Sequence, residues 1–326
     1  MMLRFLAVFV VFATPLRADV AAAIDGHILP GYAAFEDATA TLAGAAAADC
    51  SAAGLLSDYN LAFDAWLAVS HLRLGPAEKD GRSLAIVFWP DPKSLGTKAQ
   101  LAMIRDMDPA VENAATFAEV SVAARGLLAL ERLIYATEPL GDADYVCALI
   151  RATTADLASN ATAISTEWRS DFAATLLAAG SAGNTRFLTE IEARQALYTA
   201  LVTGFEFTSD QRVGRPLGTF DKPRPERAEA RVSARSLRNV TLSLTALQQF
   251  AKSLASDTPA TDTAFARAFA VAAKIQDPTF ADTGMPQGWL RAEILQQAIR
   301  AARDAAISEI GPALDVGIGF NAADGD

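Results

Sequence analysis

Apolar residues recur every three or four positions along almost the whole chain, and that spacing restricts the fold to packed helices. Phe117, Val120, Ala124, Leu127, Leu130 and Ile134 form one such stripe. Thr154, Leu157, Ala161, Ile164 and Trp168 form another, and Phe187, Ile191, Arg194, Tyr198, Leu201 and Phe205 a third. Val240, Leu244, Leu247, Ala251 and Leu254, then Leu295, Ile299, Ala302, Ala306 and Ile310, complete the series. Each stripe lays an apolar band along one helix face that must be buried against a neighbour. Sustained period-two alternation is absent; only Leu84 to Trp89 reads as a short strand. Breakers separate the helices: Gly75-Pro76, Trp89-Pro90-Asp91-Pro92, Glu138 to Gly141, Gly180 to Asn184, Gly214 to Pro225 and Asp277 to Gly288. The result is a set of helices of about 15–25 residues joined as in a bundle.

A faint repeat suggests two bundles in tandem. Ala118-Glu119-x-x-Val122-x-Ala124-Arg125-x-Leu127 returns 110 residues later as Ala228-Glu229-x-x-Val232-x-Ala234-Arg235-x-Leu237. Six identities without a gap point to internal duplication. The expected division is a leader at 1–18, a first bundle at 19–180 and a second at 181–326.

The leader reading comes from Arg4, the apolar run Phe5 to Ala13, Pro15 and the small residue Ala18 before Asp19. This is the layout of a secretory signal peptide. The run is too short to span a bilayer, which needs about 20 apolar residues. No later stretch is long and charge-free enough to span either. An exported chain reaches the periplasm or cell envelope, where two thiols can pair. Cys50 and Cys147 are the two cysteines, and they either form a disulfide or are buried separately. A net charge of −10 argues against nucleic acid as a partner, because phosphate binding needs clustered Lys and Arg.

Six segments, in order, resemble the imelysin-like (M75 peptidase-like) family. They are His27 to Tyr32; Leu72 to Pro76 with Phe88 to Asp91; Arg125 to Glu131; Arg215 to Gly218; Ser233 to Asn239; and the tail Gly317 to Asp326. Together they place an imelysin-like region at 27–310. The resemblance implies an all-α fold of two related antiparallel bundles with a site between them. It also implies a bacterial envelope location and a link to iron uptake. The family takes its peptidase name with a proposed metal motif, Gly-x-His-x-x-Glu. Here that motif falls on Gly126 to Glu131, with Leu128 at the His position.

The residues themselves bear on the same chemistry. A catalytic zinc takes three protein ligands, often from His-Glu-x-x-His. This chain has two histidines, His27 and His71, 44 residues apart. Glu131 lies on a strongly apolar helix, where a charge is costly to bury unless paired. It is either a site residue or an edge residue paired with Arg132 or Arg125. His27 is the expected metal or ligand partner for Glu131, while His71 reads as a packed residue. Gly126, Trp89, Asp91, Ser233 and Arg235 are the expected site-lining residues. For Trp89 and Asp91 the alternative is closing the bundle end and capping a turn. No nucleophile elbow or phosphate loop is present.

The expectation is a periplasmic protein of iron or metal uptake. It binds a metal ion, Fe or Zn, or a small ligand between two bundles, with an envelope receptor or transporter as partner. The alternatives are an M75-type metallopeptidase, which Leu128 opposes, and a scaffold for an outer-membrane receptor.

Overall fold

The structure, a computed structural model, describes residues 20–317. The expected signal peptide at 1–18 and the tail 318–326 lie outside the described residues. Within them the fold is all-α. No strand forms; a single bridge joins Thr219 and Lys222. The Leu84–Trp89 run, expected as a strand, is instead the end of a short helix, Arg82–Ile86, followed by irregular chain. With no neighbouring strand to pair with, its backbone groups turn inward to a helix, as buried polar groups require.

The first half is built on an antiparallel hairpin of Leu29–Ala48 and Ala52–Val69, with Ala143–Glu167 packed against it. Ser51 starts the second arm, its side chain accepting from the Gly54 amide. Asp142 caps Ala143–Glu167 in the same way through the Tyr145 amide. Cys50, at the hairpin turn, is joined by a disulfide to Cys147. The second half comprises Glu190–Glu206, Ser236–Leu254, Pro259–Ala272 and Pro286–Leu314. Among the described residues no helix is long and apolar enough to cross a membrane.

One hydrophobic core runs through both halves, from Ala23 to Leu314. Trp168 stacks on Tyr32 with ring centroids 5.9 Å apart, and Trp66 tilts against Phe35 at 5.3 Å. The halves meet along a seam where Ser236–Leu254 crosses Ala52–Val69. The two copies of the faint repeat both lie at helix starts. Arg125 directly precedes Gly126–Ile134 and Arg235 directly precedes Ser236–Leu254. Each arginine pairs with an aspartate, Arg125 with Asp156 at 3.0 Å and Arg235 with Asp64.

Two wide turns of π-helix flank the seam, Ile24–Ile28 and Phe207–Val213. A proline follows each, Pro30 and Pro216, and proline has no N–H to give to the carbonyl four residues back. The ladder widens there, and π-turns of this kind occur often at functional sites.

Candidate functional site

Gly126–Ile134 carries Glu131 into the seam. The helix begins where it does because Gly126 takes a left-handed backbone, φ +76°. A Cβ at that position would stand 2.2 Å from the Ala85 carbonyl oxygen and 2.3 Å from that of Ile86. Gly126 therefore serves close backbone packing. Gly126→Ala should cost about 2 kcal/mol, since both the φ and the contact are wrong for a side chain. Urea unfolding with an unchanged midpoint would contradict this.

Glu131 is only 5% exposed. Its Oε1 accepts from the Ser233 amide at 2.8 Å and from the Ser233 hydroxyl at 2.6 Å. Burial raises its pKa, and the two Ser233 donors pull the other way. Ser233 Oγ also lies 3.1 Å from the Ala230 carbonyl, so its one proton has two acceptors. If Glu131 is protonated, the acid can give its proton to Oγ, and Oγ can turn to Ala230. The pair can thus hold a proton in the seam. The loop that presents Ser233 has Ala230 at φ 48° and Ala234 at φ 55°. Such backbone in non-glycine residues costs about 1–3 kcal/mol each and persists only where the surroundings enforce it.

The same loop ends at Arg235, which is 2% exposed. Its two terminal nitrogens donate to Asn60 and Asp64, and its guanidinium sits 4.7 Å from the Phe63 ring centre. Arg238 donates to the same Asp64 carboxylate. Deeper in the seam Arg212 donates from Nε to Glu229 Oε2 at 2.8 Å, and Asn239 donates to that oxygen at 3.0 Å. A buried pair of this sort adds little net stability over an apolar core.

His27 and His71 form a second polar centre. Their Nε2 atoms are 3.2 Å apart. The Phe250 ring from the second half lies 5.2 Å from one imidazole and 5.0 Å from the other. Burial lowers His27 to about 4 and holds His71 well below 6.5, the latter assisted by His27 and Arg212. Both rings are therefore neutral at neutral pH, and one Nε2 donates to the other.

The expected residues are thus sorted by the fold. Glu131 and Ser233 touch, and Arg235 closes the same loop. His27 pairs with His71, and Glu131's side-chain hydrogen bonds both come from Ser233; the expected meeting of His27 with Glu131 gives way to these two separate pairs. The π-turn at Ile24–Ile28 rotates His27 inward onto the turn after Ala52–Val69, where His71 sits. Trp89 packs edge-on against Phe207 at 5.8 Å, with Arg215 over it at 6.0 Å. Asp91 caps a helix, accepting from the Leu95 and Gly96 amides at 2.8 Å each. Sequence reasoning read His71 as packing and passed over Asn60, Asp64, Arg212, Glu229 and Asn239 as site residues. Glu229 stands in the repeat and Asn239 ends the Ser233–Asn239 segment, and these were the legible signals; Asn60 and Asp64 join only through contacts of long sequence separation.

A metal in the family's motif position finds a poor donor set here. Leu128 is buried at 7% exposure and has no donor atom. Among the described residues no three His, Cys, Asp or Glu side chains are grouped to hold a metal ion.

The crystal structure of an imelysin-like protein from Psychrobacter arcticum 273-4 has the same fold. It shares 20% identity and a TM-score of 0.76 over 92% of this chain and 96% of that one. No curated protein matches the chain. The family model Imelysin, Peptidase M75, matches residues 28–306, nearly all of the described helices. The chain belongs to the imelysin family.

Proposed function

We propose that this chain is a binding protein of the periplasm that serves iron or other metal uptake, taking a metal ion or a small ligand at the seam between its halves. One observation carries the proposal: the seam is polar, charged and held in strained backbone at the place where stability alone would favour an apolar core. Glu131 with Ser233, and Arg235 with Asp64, cost desolvation energy that a purely structural contact would avoid. Perturbed, buried groups of this kind concentrate at functional sites.

The metal reading draws support from the imidazole pair. Two nitrogens, each about 2.0–2.1 Å from one tetrahedral ion, stand about 3.3 Å apart. The two Nε2 atoms are separated by 3.2 Å. Iron and zinc both accept imidazole. Two protein nitrogens would leave coordination positions for ligands that arrive with the metal. Peptidase chemistry is not part of the proposal, because the hydrolytic donor set lacks its histidine at Leu128.

The test is calorimetric titration of the purified mature chain with ferrous and zinc salts. Saturable binding is expected, weakened at least tenfold by His27→Ala and changed by Glu131→Gln. Isotherms that are the same for the wild type and both variants would remove the seam from the account.

A further inference from the structure

A cavity of about 120 Å³ opens beside the imidazole pair, between the His71 turn of the first half and the helices Glu190–Glu206 and Ser236–Leu254 of the second. That is room for about four waters at ~30 Å³ each, or for a ligand of a few heavy atoms. Its walls carry two arginines, Arg73 and Arg212, and no carboxylate.

The polar atoms around it are unevenly satisfied. Thr203, Thr208 and Ser243 spend their hydroxyl protons on carbonyls of their own helices, at 2.8, 2.8 and 2.7 Å. His71 is only 7% exposed, and its Nδ1 is buried with no hydrogen-bond partner. A buried polar nitrogen left alone costs about 1–3 kcal/mol. If His27 donates through Nε2, His71 must carry its own proton on Nδ1, and that N–H is the donor without a partner.

The guanidiniums show the same imbalance. Arg73 and Arg212 lie 4.9 and 4.8 Å from the centre of one ring, Phe207. Arg212 gives only its Nε to Glu229, and the Arg73 side chain makes no hydrogen bond or ion pair among the described residues. Glu78 acts on Arg73 only through space, and Arg212 repels it. Two cations are thus held against one ring with terminal N–H groups unspent. Guanidinium groups bind planar oxyanions through paired N–H donors.

The geometry points to a site for a small oxyanion, a carboxylate or an inorganic oxyanion, bound in this cavity by His71 Nδ1–H, Arg73 and Arg212. The proposal uses the face of His71 opposite to the Nε2 that supports the metal reading, so each can fail without the other.

The experiment titrates the purified chain with sodium acetate and sodium phosphate, against sodium chloride at matched ionic strength. Saturable one-to-one binding of acetate, of phosphate or of both is expected, and the pattern tells a carboxylate site from an inorganic oxyanion site. Arg73→Gln should weaken binding at least tenfold. Arg73 is exposed and its side chain makes no hydrogen bond, so that variant is expected to keep its fold. Glu131→Gln should leave the isotherm unchanged, which separates this site from the one in the Glu131 loop. The ¹⁵N spectrum of the imidazoles gives a direct reading, because the chain has two histidines. His71 should be protonated on Nδ1, and that resonance should move as the anion binds. The proposal is overturned by no saturable heat beyond chloride, by equal affinity in Arg73→Gln, or by a His71 protonated on Nε2 instead.

Discussion

Replacing Cys50 and Cys147 together with serine lowers the unfolding free energy by about 4–5 kcal/mol. The bridge closes a loop with a sequence separation of 97. In the chain-entropy model, loss of a loop that long frees the unfolded ensemble by this amount. The bridged segment holds the Ala52–Val69 arm, the His71 turn and the Gly126–Ile134 helix, so three of the seam's contributors depend on it. Denaturant unfolding of the oxidised protein, the reduced protein and the double serine variant checks the value. A loss below about 1 kcal/mol would mean that the native helices alone hold Cys50 beside Cys147 and that the unfolded chain gains little freedom.

Acidification from pH 8 to pH 5 destabilises the fold, by about 2 kcal/mol through His27 and further in the same direction through His71. In the unfolded chain each imidazole protonates as pH falls through its ordinary 6.5. In the fold His27 protonates only near 4, and burial holds His71 well below its ordinary value. Between those limits the unfolded state binds more protons, so stability is present above about 6.5 and drains away as pH falls. By pH 5 this amounts to about 2 kcal/mol for His27, and His71 adds to it with the same sign. Glu131 and Asp156, both raised by burial, act in the opposite sense, because the folded state takes up their protons first. Their effect begins above their ordinary values, as pH falls through their raised folded pKa, and is complete below the ordinary carboxylate range. Unfolding free energies measured across pH 5–8 should slope downward toward acid in the wild type. They should be nearly flat in a His27→Gln, His71→Gln double variant. A wild-type profile that is equally flat would mean that neither imidazole is harder to protonate in the fold than in the unfolded chain.

Much of this molecule is legible in one dimension. The stripe from Phe117 to Ile134 reads as one helix face; the structure breaks it between Ala114–Ala118 and Gly126–Ile134 but buries Leu127, Leu130 and Ile134 on the second. Glu131 stands out in that stripe as a charge among apolar neighbours; sequence left it between a site and a solvent edge, and the structure buries it. The Ser233 loop was legible as a motif, though not as the donor to Glu131. Other features read one way in sequence and another in space. Asp91 looked like a pocket residue beside Trp89, yet its side chain is committed to the amides of Leu95 and Gly96. His71 looked like packing and is half of the imidazole pair.

Sequence alone determined the helical class, the buried faces and the order of motifs, because periodicity and breakers are local properties of a chain. Which side chains meet across the seam was decided by tertiary structure. His27 with His71, Glu131 with Ser233 and Arg235 with Asp64 are separated by 44, 102 and 171 residues. No local pattern encodes such pairs. They depend on how far each helix is rotated about its axis, and a π-turn, a left-handed glycine and a strained loop set that rotation.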